Sequence, residues 1–144
     1  MTLNGSRRVR VTGMGDNKDD FVKIGVVSKS VAKEARIDPG NIVVSRSAIA
    51  HISQRHLQEI NAIGITPADY VAFIAKYYNR IYLGSGGSYL LVVHNRSKDM
   101  AHVAAIRINY SLKKGFWEVV TAQPRLKVRL KPKDLKWEKQ RQRG

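Results

Sequence analysis

The sequence contains no cysteine. That excludes disulfides, thiolate metal ligands and a thiol nucleophile, and it is compatible with the cytosol. No apolar run approaches the roughly 20 residues that span a bilayer, so no membrane association is expected. The start, "MTLNGSRRVRVTG", has basic residues but no apolar stretch behind them, so it is not a secretory signal. These absences lead to the expectation of a cytoplasmic protein. Acid is scarce: 11 Asp and Glu stand against 26 Lys and Arg, for a net charge of +15. The pI is near 10.4. An excess of that size on a short chain calls for a polyanionic partner, nucleic acid first.

What is present is enough for one domain. The chain has 144 residues, 43% of them hydrophobic, and so can bury a single core. Residues 1–20 are polar and glycine-containing and read as a flexible arm, with an acidic cluster at Asp16, Asp19 and Asp20. "FVKIGVVS" and "NIVVS" read as strands, with a short helix in "SVAKEARI" between them. A helix follows over "AIAHISQRHLQEI", with Ser45 or Ser47 as N-cap and Gly64 just past its end. "TPADYVAFIAKYYNR" is the clearest helix: Thr66 caps it, Pro67 takes the first position and Asp69 stands three residues on. The apolar period then changes from 3.6 to 2. "RIYLG", "SYLLVVHN", "AHVAAIRINYSL" and "GFWEVVTAQ" are four strands joined by short connections, which make antiparallel neighbours. The expected fold is therefore α+β, with N-terminal helices packed on one face of a four-stranded or larger antiparallel meander. Pro124 is expected to end the meander. Residues 125–144 form a basic tail, with nine Lys and Arg against Asp134 and Glu138, net +7. Within it "RLKVRLK" alternates and suits an edge strand.

The helix over residues 48–60 raises the question of where His51, Arg55 and His56 point. With Ile49 at zero and about 100° per residue, Ile52 falls near about 300°, His56 near about 340° and Ile60 near about 20°. His56 thus sits in the apolar stripe. His51 and Arg55 fall near about 200° and about 240°, on the flank. A histidine on such a stripe is either a hydrogen-bonded core residue or a group aimed at a site. In the strands, simple alternation puts Trp117, Val119 and Thr121 on one face and Glu118, Val120 and Ala122 on the other. Arg107 shares a face with Val103, Ala105 and Asn109. It is either a surface charge or a phosphate ligand, for which the guanidinium fork is suited.

The "HISQRH" helix, the next helix, the antiparallel run and the closing "WEVVTAQP" together resemble the barnase, EndoU, colicin and RelE-like nucleases. The likeness is greater to the phage and polymorphic-toxin versions of that fold, and it covers roughly residues 41–124. The middle of the chain, 21–124, is then nuclease-like. The resemblance implies metal-independent RNA cleavage without a cofactor. It also implies a helical histidine, a basic residue on the sheet, and a Ser or Thr near the end of the last strand. By position these are His56 with Arg55, then Arg107 or Lys113, then Thr121, while His51 matches the first position of the helical motif. RNA, tRNA among the candidates, is the implied partner, with an immunity or inhibitor protein as a second. Lys113, Lys114, Arg125, Lys127 and Arg129 are the expected nucleic-acid contacts. The chemistry expected is attack by the substrate's 2′-OH, with a histidine moving the proton and cations holding the charge on phosphorus. The rival from another class is a non-catalytic basic module that binds nucleic acid, or a phage accessory protein of that kind.

Other groupings are weaker. Polar acidic loops such as that of Asp16, Asp19 and Asp20 are usually only solvated. His94 and His102 flank a turn, but two histidines make an incomplete zinc site. "GSGGS" lacks the lysine and helix of a phosphate loop and reads as a hairpin turn.

Overall fold

The computed structural model describes the backbone of residues 8–9 and residues 21–111 and 115–140 in full. The order is β1 (Arg8–Val9), β2 (Phe21–Val27), α1 (Lys29–Ala35), β3 (Gly40–Ser45), α2 (Arg46–Asn61) and α3 (Pro67–Tyr77). Then come β4 (Arg80–Leu83), β5 (Tyr89–Val93), β6 (Met100–Asn109), β7 (Phe116–Leu126) and β8 (Leu135–Glu138). All eight strands form one sheet, in the order β1-β2-β3-β7-β6-β5-β4-β8.

The expectation of N-terminal helices on an antiparallel meander does not hold. Among the described residues strands β1 and β2 precede the helices, and β3 enters the sheet parallel to β7, with Ile42 opposite Trp117. The sheet is therefore mixed. A parallel neighbour needs a long crossover and leaves no turn signal in the sequence, so local reading cannot find it. The other described pairings are antiparallel, β1 to β3 on one side and the consecutive series β4 to β7, with β8 beside β4, on the other. Nor does Pro124 end β7: it pairs with His102, and the strand continues to Leu126.

Local chemistry accounts for the helix starts. Ser45 Oγ accepts from the Ala48 N–H at 3.1 Å, and Thr66 Oγ1 accepts from the Asp69 N–H at 3.2 Å. All three helices contribute to one core on one face of the sheet. It joins Ala32, Ile52, Ile60, Tyr70 and Ile74 to Ile42, Leu91, Ile106, Trp117 and Val119. Helix α3 is apolar nearly all round, as suits a helix enclosed by its surroundings. Its backbone lies so close to β2 that a Cβ on Gly25 would stand 2.7 Å from the Ala75 carbonyl oxygen.

The sheet curls around α3. The Tyr78 hydroxyl donates to the Val26 carbonyl of β2 at 2.9 Å, and its ring meets Trp137 of β8. Trp137 Nε1 donates to Glu34 of α1 at 2.7 Å. The basic tail is thus a structural part of the fold up to residue 140, but the strand it adds is Leu135–Glu138 and not the expected "RLKVRLK", of which Lys127–Arg129 form a 3-10 turn. It crosses the helix-free face, where Leu130 packs on Tyr82, Val92 and Val103, and then adds β8 beside β4.

Candidate nucleic-acid site on the open sheet face

A β-bulge decides what the open face carries. In the β6–β7 ladder Ala105 pairs with Thr121, but Ile106 pairs with Val119. The extra residue, Val120, reverses the alternation. Trp117, Val119 and Ala122 all join the helix-side core. Thr121 therefore points to the opposite side, together with Glu118. This corrects the alternation expected from sequence, which grouped Thr121 with Trp117 and Val119. Glu118 stands directly across from Arg107, so a carboxylate, a guanidinium and a hydroxyl share one stretch of the open face.

Arg107 and Thr121 border a cleft of about 500 Å³, lined also by Arg125, Arg129 and Lys131 against the single carboxylate of Asp134; Glu118 lies outside its lining, next to Arg107 on the same face. Thr121, Ser85 and Ser88 supply hydroxyls around it. Arg107 is exposed and reaches toward the β4–β5 turn, where a Cβ on Gly86 would lie 3.8 Å from its Nη2. That turn is compact: Ser88 Oγ donates to the Ser85 carbonyl at 2.6 Å. The floor is apolar, formed by Tyr82, Leu90 and Ala105. Four cations in one concavity repel one another, and an anion relieves that repulsion.

Of the residues singled out from sequence, Arg107, Thr121, Arg125 and Arg129 converge here. Lys127 lies in the turn after β7. Lys113, Lys114 and the Asp16, Asp19 and Asp20 cluster lie outside the described residues. His51, Arg55 and His56 are not brought to this cleft. They belong to α2, across the sheet. His51 and Arg55 are exposed. His56 lies in the apolar stripe as phased, between buried Ile52 and Ile60, with its side chain 17% exposed. It has non-helical backbone angles, φ −132° and ψ 15°, and its Nδ1 is 3.1 Å from Glu59 Oε1. His56 therefore pairs within its own helix rather than with Thr121 or Arg107.

The other two histidines separate. His102 Nδ1 shares a 3.0 Å hydrogen bond with the Tyr70 hydroxyl on the helix side. Burial lowers the His102 pKa below its ordinary value and raises that of Tyr70. His94 stands with Arg80 beyond the far side of the crossing segment. Sequence reading missed Glu118, Lys131, Ser85 and Ser88. The bulge hid that Thr121 shares the face of Glu118, and the others carry no signal beyond turn and tail composition. Among the described residues no group of three or more metal-ligating side chains is assembled, and no helix is long and apolar enough to cross a membrane.

Compared with protein-family models, with curated proteins and with solved structures, the chain returns no match.

Proposed function

We propose that the protein is an RNA endonuclease of the barnase, EndoU, colicin and RelE-like kind that binds and cuts its substrate on the open sheet face. One observation carries the reading: Arg107, Glu118 and Thr121 share one face beside a cleft lined by four cations. Phosphate recognition by arginine forks explains the cations, and a basic groove suits a single strand. The reaction that these groups can perform needs no activated water. The 2′-OH of one nucleotide attacks the adjacent phosphorus while the Glu118 carboxylate takes its proton. The bond to the 5′-oxygen breaks, that oxygen takes a proton from solvent, and a 2′,3′-cyclic phosphate remains. Arg107, with Arg125 and Arg129, holds the charge that develops on the phosphoryl oxygens, and Thr121 donates to one of them. The proton-transfer role expected for His56 passes in this reading to Glu118.

A second reading has its own support. Neither His56 nor His102 faces the cleft, so the same face suits a module that binds RNA without cutting it. One experiment separates the two. The full chain is incubated with a labelled single-stranded RNA in EDTA, beside the same strand with a single 2′-deoxy nucleotide at the cut position. Cleavage of the first and not the second supports the nuclease. Binding of both with cleavage of neither supports the module. Cutting of the deoxy strand, or cutting that requires Mg²⁺, removes the proposed chemistry.

A further inference from the structure

A second polar pocket of about 590 Å³ lies at the other end of the β4–β5 pair, bordered by Asn79, Arg80, His94, Arg96, Glu138 and Lys139. Its frame is held firmly. Asn79 clamps the His94 backbone from both sides: Oδ1 accepts from the His94 N–H and Nδ2 donates to the His94 carbonyl, each at 2.8 Å. Arg80 is fixed by Glu138 at 2.6 Å and by the Tyr82 hydroxyl at 3.0 Å. Arg96 and Lys139, which also line the pocket, are exposed. Four groups that are or can become cationic thus face one carboxylate, and that carboxylate is already engaged by Arg80.

We propose that this pocket is a second oxyanion seat that takes a phosphate group, with His94, Arg96 and Lys139 as its ligands and Arg80 as the fixed cation behind them. As a seat for an RNA phosphate it rests on the reading above; as a seat for a free phosphate it does not. The state of His94 supports it. Burial first, then Arg80, Lys127 and Arg96, depress its proton affinity, and only Glu138 opposes them. A bound phosphate supplies the missing negative charge, so binding draws a proton onto the imidazole. For a phosphodiester, which keeps its single charge over this range, affinity then rises as the pH falls through the His94 range, by at most tenfold per pH unit; a free or terminal phosphate itself gains a proton near neutral pH, which offsets part of that rise.

The test follows the His94 ring signals of the full chain by NMR from pH 8 to pH 5.5. One arm adds inorganic phosphate and another adds a short oligoribonucleotide without terminal phosphates. A third adds sodium chloride at matched ionic strength. We expect phosphate to move the His94 signals saturably and to raise their titration midpoint, with chloride doing neither. Arg96→Ala, in an exposed turn, should weaken this at least threefold while Arg107→Ala leaves it unchanged. Movement by the oligonucleotide as well assigns the seat to the nucleic-acid strand; movement by phosphate alone assigns it to a free or terminal phosphate. His94 signals that stay still, or that move equally with chloride, overturn the proposal. The cleft reading is scored separately, by the loss of RNA affinity in Arg107→Ala.

Discussion

The rings of Tyr78 and Trp137 meet edge-on with centroids 5.8 Å apart, and this contact helps close the sheet around α3. Tyr78 ends the helix, while Trp137 sits on the last strand and reaches α1 through Glu34. Trp137→Ala should therefore destabilise the whole domain and not only its C-terminal edge. Full loss of a core aromatic costs about 3–5 kcal/mol, and this one is partly exposed, so roughly 2 kcal/mol is expected. Urea unfolding followed by fluorescence and by circular dichroism measures it. An unchanged midpoint would mean that the sheet ends are not joined by this contact.

The cleft cations should set the salt dependence of RNA binding. Each single-strand phosphate contact contributes a slope of about −0.7 in log affinity against log salt. Arg107→Ala combined with Arg125→Ala should flatten that slope by about 1.4 without lowering thermal stability, since neither side chain belongs to the core. Arg55→Ala, across the sheet, should leave it unchanged. Equal effects from both sides would place binding elsewhere.

Cleavage should depend on Glu118 and not on His56. Glu118→Gln keeps the shape and removes the base, so the rate should drop by at least about 100-fold with little change in affinity. His56→Ala removes packing and the bond to Glu59, at a cost of about 1–2 kcal/mol, and should leave the rate of the folded protein within about twofold. A dead His56→Ala variant with normal melting would return the chemistry to α2.

Stability should fall in mild acid. His102 is half-buried beside Tyr70, and its folded pKa lies below the ordinary value. The folded state therefore disfavours the proton. The His102 contribution is fully present above the unfolded value of about 6.5 and is lost as the pH falls toward the folded pKa. His94 shifts in the same direction, through burial and its cationic neighbours. Melting temperature should decline between pH 7 and pH 5, and His102→Gln should flatten that decline. A profile that is identical in the variant would assign the acid sensitivity to other groups.

Much of the local structure was legible in the residues themselves. The caps at Ser45 and Thr66, the helical phase that buries Ile52 and Ile60, and the strands β4 to β7 all follow from short-range rules, because caps, turns and periodicity act over a few residues. The +15 charge was equally plain. Tertiary structure alone decided the rest. A parallel pairing of β3 with β7 depends on chain topology and has no local signature. The fate of the basic tail depended on Trp137 and Leu130 finding partners far away in sequence. The bulge at Val120 mattered most for the site. One extra residue in a period-2 strand turns every later side chain to the other face. That residue moved Thr121 from the side of Trp117 to the side of Glu118 and Arg107. Which groups can act together was therefore set by register, a property of two paired strands that neither strand carries by itself.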